Sequence, residues 1–238
     1  MKKAILLLLV LGSFAAQAED KVEFSGFGTL GMVLSDSAQY GYRGDLAQGS
    51  ATFDGENDFA TSSVLGLQLE YSPNTKFDVV TQLVHRNQNE FSLHEYVSLA
   101  FVRYSPKPGW DIRLGRTPLD LFTLAEFRDI GFAYPWAAVP AEIYGIIPNR
   151  SLDGLDVSYF HQFDAFSLRS KLFAGTSKTD IQTESSFSSE TVELDRVIGL
   201  AFELDSFNWN LGARLTEVKL GEELSSTQEL FDVLNLLP

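Results

Sequence analysis

The sequence predicts an all-β fold, an antiparallel β-barrel that crosses a membrane, and three observations predict it. Apolar and polar side chains alternate over most of the chain, the period of a strand that shows a different solvent to each face. The alternating segments mostly run about 9 to 13 residues, longer than the roughly 5 to 6 of ordinary strands and suited to a tilted membrane strand. Aromatic residues bracket the short turns in phase with the apolar side: Tyr71 and Phe77, Tyr104 and Trp110, Tyr159 and Phe166, then Phe207 and Trp209 after Asp205-Ser206. Tyr and Trp join an apolar body to one polar atom, so a girdle of them at one end of a strand array marks a membrane interface.

Residues 1–18 read as a secretory signal, with Lys2 and Lys3, the apolar run Ala4 to Leu11, and Ala16-Gln17-Ala18 as the cleavage site. The apolar run is too short to span a bilayer as a helix, and no later stretch is longer, which leaves a barrel over residues 19–238 as the way to pair every backbone group in lipid. Loss of Lys2 and Lys3 leaves sixteen basic against thirty-two acidic residues, a net charge of −16, and nucleic acid is excluded as a partner. With no cysteine, an exported fold needs a stabiliser other than disulfides, and barrel closure supplies one.

The first strand, 22–34, places Phe24, Gly26, Gly28, Leu30, Met32 and Leu34 on the lipid side. The second, 63–72, does so with Leu65, Leu67, Leu69 and Tyr71, and the third, 76–86, with Phe77, Val79, Thr81 and Leu83 against Asp78, Gln82 and Arg86. The fourth, 95–105, is nearly all apolar and is phased by its end, Tyr104 outward and Arg103 inward. The fifth, 110–116, turns Arg113 inward. A sixth at 152–160, a seventh at 166–176 with Arg169 and Lys171 inward, an eighth at 193–204 and a ninth at 207–218 with Arg214 inward complete the array. Connections alternate between short aromatic-bracketed turns and long stretches at 35–61, 118–151 and 177–192, and only the link 87–93 is short where a long one is due. Outer-membrane barrels have short periplasmic turns and long outside loops, which places the amino terminus in the periplasm. A secreted soluble β-sandwich shares the alternation but predicts one buried face and no aromatic girdle.

The stretch 118–150 is unlike the other connections. It holds four prolines and a dense set of apolar residues, Leu119, Leu121, Phe122, Leu124, Phe127 and Trp136 among them, and must pack on something; the inside of the barrel is the nearest surface. Leu121 to Arg128 fits about two helical turns with Asp120 as N-cap.

With its glycine-bearing strand Val22 to Leu34, the strand Ser63-Val64-Leu65-Gly66-Leu67-Gln68, and Leu114-Gly115-Arg116 just before a long loop, the chain resembles the general and substrate-selective trimeric porins of Gram-negative outer membranes. The resemblance implies a channel for passive diffusion of small hydrophilic or ionic solutes. It also implies a homotrimer in contact with outer-membrane lipid and lipopolysaccharide, no cofactor, and 118–150 as the third outside loop folded into the channel. That family's loop tip reads Pro-Glu-Phe followed by glycines, whereas here Ala125-Glu126-Phe127-Arg128-Asp129 keeps Glu-Phe and an acid. Family barrels close with an even number of strands, typically sixteen, and end in an aromatic residue. About nine strands and the ending Leu236-Leu237-Pro238 set the expectation that this is an amino-terminal portion.

Strand phase and the resemblance together give the candidate pore wall as Arg86, Arg103, Arg113, Arg169, Lys171 and Arg214, with Arg116 added on the family motif and a bulge near Gly115. The loop candidates are Asp120, Glu126, Arg128, Asp129, Glu142 and Arg150. In a porin, wall bases facing loop acids set a transverse field that sorts permeants. Each of these charges taken singly is better explained by solvation or a structural ion pair, and the pore reading rests on the cluster. An enzyme is not expected: His85, His94 and His161 have no serine and orienting partner, no cluster has metal-ligand spacing, and no phosphate loop occurs. A plugged barrel with a binding or adhesive role is the alternative within the same architecture.

Overall fold

A computed structural model of the chain describes residues 21–88, 92–136, 139–145, 147–182 and 189–221. The leader expected at residues 1–18 lies outside the described residues. Among those described, the strands β1 (Val22–Thr29), β4 (Val64–Asn74), β5 (Phe77–His85), β6 (Val97–Tyr104), β7 (Trp110–Pro118), β8 (Ser151–Gln162), β9 (Ser167–Gln182), β10 (Ser189–Asp205) and β11 (Asn210–Leu220) form one nine-stranded antiparallel sheet in that order. A two-residue ribbon, β2 (Val33–Leu34) with β3 (Asn57–Asp58), sits in the first long connection. The fold is all-β, as the alternation predicts. The sheet is open, with β1 and β11 as its edges among the described residues. No helix there is long and apolar enough to cross a membrane.

Every strand is joined to its spatial neighbour, so register is local and each face is set by sequence parity. In β10, Val197, Gly199 and Ala201 are buried while Ile198, Leu200 and Phe202 are exposed. The same split runs across the sheet and gives one bare apolar face, on which Leu67 is 54 % exposed, Leu114 64 % and Leu172 54 %. Soluble monomers seldom expose apolar patches of such extent. On the opposite face two rings lie over glycines directly across the ladder, Phe27 over Gly66 and Phe173 over Gly199. A Cβ at Gly199 would stand 2.1 Å from the Phe173 ring, so only glycine admits the ring there.

Three expected elements differ. The first strand does not run unbroken to residue 34; β1 ends at Thr29, and the chain is drawn sideways where Ser63 Oγ accepts from Gly31 N–H at 3.1 Å. The stretch 177–192, read as a polar loop, contributes to β9 and β10, of 16 and 17 residues. Its polar strand residues hold the ladder through contacts such as Thr191 Oγ1 donating to Asp180 Oδ1 at 2.6 Å. Within 118–150 the expected two turns of helix are absent. Leu124 is left-handed at φ 65°, a single 3₁₀ turn spans Ala125–Phe127, and the Asp120 carboxylate points to the sheet and not back to a helix start.

Candidate functional site

The loop 118–150 leaves and rejoins the sheet at adjacent strands: Pro118 pairs with Ser151, and Leu119 N–H donates to Arg150 O at 3.0 Å. Its base is apolar. Leu119, 3 % exposed, and Leu121 pack on Leu152, Phe173, Leu194 and Val197 of the sheet. That anchor is worth roughly 2 kcal/mol per buried leucine. Tyr144, from the short helix Ala141–Tyr144, braces the loop from within, its ring 5.6 Å from that of Phe122 and its hydroxyl donating to Thr123 O.

Beyond this base, loop acids meet sheet bases directly. Glu126 bridges Arg113 Nη2 at 2.9 Å and Lys171 Nζ at 2.8 Å, and Arg113 Nε also donates to fully buried Asp156 at 2.9 Å. Asp120 takes Lys171 at 3.4 Å and Arg214 Nε at 3.2 Å, while the other arm of Arg214 reaches Glu203. Arg103 is held within the sheet by Glu70 at 2.7 Å and Asp78 at 2.8 Å. Burial would raise the Glu126 carboxyl, but the Lys171 ammonium and Arg113 guanidinium outweigh it and hold it at about 2.

A second cluster ties the first long connection to this loop. Asp45, 4 % exposed, accepts from Arg128 Nη2 at 2.6 Å and Arg150 Nη2 at 2.5 Å. Asp129 pairs with Arg150 and, at 3.5 Å, with Arg86. Arg128 also donates to the carbonyls of Ile147 and Tyr144. Burial and the neighbouring Arg150 pull the Arg128 guanidinium down to about 10, which leaves it charged at neutral pH.

Between the loop segment 123–127 and the sheet lies a cavity of about 670 Å³, in the range of small-molecule sites. It gathers Arg103, Arg113, Arg169, Lys171 and Arg214 from the wall candidates, and Asp120 and Glu126 from the loop candidates. Arg86, Arg128, Asp129 and Arg150 stand outside it in the Asp45 cluster. Glu142 is exposed on its short helix and lines no part of the cavity. Arg116 is a correction. The β7–β8 register runs without a shift from Trp110 to Pro118, so no bulge turns Arg116 inward. It stays on the face of Leu114, bidentate to Asp153 at 2.7 Å and donating to His94 O and Val97 O.

The aromatic residues form a line at the end with the short turns. Phe77 stacks on Tyr104 at 4.7 Å, Trp110 meets Tyr159 at 5.0 Å, and Phe166 meets Trp209 at 6.4 Å. Tyr71 is 42 % exposed, and Phe207 is fully exposed. The partners Glu70, Asp78, Asp156 and Glu203, and the cavity-lining Phe160, were readable from the parity that placed the bases. Asp45 was not, because the connection that carries it has no period. No group of three or more His, Asp or Glu able to hold a metal ion occurs among the described residues.

No protein-family model matches the chain, and no curated protein matches it. Among solved structures the chain is similar to one described as Salmonella typhi OmpF in complex with daunomycin, at 13 % identity and a TM-score of 0.29. The match covers 86 % of this chain and 65 % of that one.

Proposed function

We propose that the chain forms the wall and constricting loop of an outer-membrane channel for passive diffusion of small hydrophilic or ionic solutes. The reading is carried by the asymmetry of the sheet. One face is bare, apolar and edged by aromatic residues at the short-turn end, while the other is charged and covered by a folded-in loop. In lipid the first face needs no cover, and the second lines water. Residues 1–18 direct export, the short turns lie in the periplasm, and lipid, lipopolysaccharide and two further copies of the chain are the partners.

Selection works through contact pairs more than through a field across a gap, because the loop acids reach the wall bases. Those same pairs favour a second reading, a plugged barrel that binds and does not conduct. Planar-bilayer recording of the detergent-folded full chain separates the two: stepwise conductance supports the channel, and a membrane-inserted chain that passes no current sinks it. A chain that stays soluble without detergent would sink both.

A further inference from the structure

We infer that the cavity under residues 123–127 is a binding subsite for a small monocarboxylate with an apolar or aromatic body, its carboxylate taken by Arg169. The inference rests on the channel reading only for the route by which such a solute arrives. Of the five bases that line the cavity, four are committed: Arg103 to Glu70 and Asp78, Arg113 to Asp156 and Glu126, Lys171 to Asp120 and Glu126, and Arg214 to Asp120 and Glu203. Arg169 lines the same cavity, is exposed, and has no carboxylate or other polar partner among the described residues. Glu203 lies directly opposite it on β10, yet turns its carboxylate to Arg214. Asp111, also on the cavity, takes the Ser105 hydroxyl at 2.5 Å.

One free guanidinium fits one carboxylate, whose two oxygens match the planar fork. A dianion is disfavoured, since its second charge would sit beside Glu203. The body of the ligand follows from what surrounds the fork. Phe160 is the direct cross-strand neighbour of Arg169 on the other side and is 43 % exposed, and Phe127 of the loop is 42 % exposed into the same cavity, with Leu124 next to it. Exposed rings beside an uncommitted cation suit a ligand that brings its own ring or alkyl chain, and Asn210 adds an amide for a second polar group.

The test uses the detergent-folded full chain and sodium benzoate, with benzamide as the neutral counterpart and acetate as the ringless one, each titrated by calorimetry. Benzoate should bind at least about tenfold more tightly than either control, and Arg169→Gln should remove that advantage, as loss of a charge-assisted hydrogen bond predicts. Arg169→Lys, which keeps the charge without the fork, should fall between. The unfolding midpoint of Arg169→Gln should match that of the parent, because the side chain has no partner to lose. Equal binding of benzoate and benzamide, equal binding of acetate, or an undiminished benzoate affinity in Arg169→Gln overturns the subsite. Bilayer recordings on the same samples keep the two readings apart: benzoate binding without conductance leaves the subsite standing and removes the channel, and conductance without benzoate binding does the reverse.

Discussion

Glu126→Gln is the substitution whose effect can be worked out most fully. The carboxylate bridges Arg113 and Lys171 at 2.9 and 2.8 Å and is held at about 2 against an ordinary 4.5. That difference amounts to roughly 3 kcal/mol of preference for the anion in the folded protein. The Glu126 side chain is 29 % exposed, which trims the figure to about 2 to 3 kcal/mol. Because the folded value is depressed, the contribution is complete above pH 4.5, declines as pH falls, and is gone near pH 2. Chemical unfolding in detergent at a series of pH values should show parent and Glu126→Gln separated by about 2 to 3 kcal/mol at pH 7 and converging below pH 4.5. Asp129 also titrates below the usual range, but it does so in both proteins and drops out of the difference. A gap of the same size at pH 7 and at pH 2.5, or none at pH 7, would refute the assignment of Glu126 as the ionic pin of the loop.

Two further predictions concern how the loop is seated. Asp45→Ala leaves Arg128 and Arg150, side chains 7 % and 17 % exposed, without their shared anion. Breaking a buried pair this way costs about 3 to 5 kcal/mol, to be read as faster hydrogen exchange at residues 128–130 although Asp45 lies in a different connection. Gly199→Ala forces a methyl against the Phe173 ring and should cost about 1 to 3 kcal/mol. The loss should shrink in a Phe173→Leu background, and strictly additive effects would place the two residues out of contact.

Parity in the sequence carried most of the sheet. Once Tyr104 and Leu114 were set on one face, Arg103 and Arg113 followed on the other, because successive strand residues point to opposite faces. Parity could not see which acid each base would meet, since that depends on the path of 118–150, whose Leu124 takes a left-handed backbone that no local spacing announces. It also misjudged 177–192, where polar strands look like a loop when only apolar alternation is sought. Arg116 differs for the opposite reason: the family motif points it inward, while the unshifted register keeps strand parity and leaves it on the face of Leu114. Asp45 had no signal at all, as its partners lie 83 and 105 residues away in the chain.

The loop springs from a hairpin that is already closed, for β7 and β8 remain paired up to Pro118 and Ser151. Closure entropy grows only with the logarithm of loop length, so the extra residues add little over a short connection. What it needs from the sheet is a footprint, the patch of Leu152, Phe173 and Val197 on a face that is otherwise rich in charge. Loop and footprint are thus one exchangeable cassette. A different loop grafted between the same strands would fail unless it brought its own apolar base, and related proteins that alter the loop should recolour these three wall positions with it.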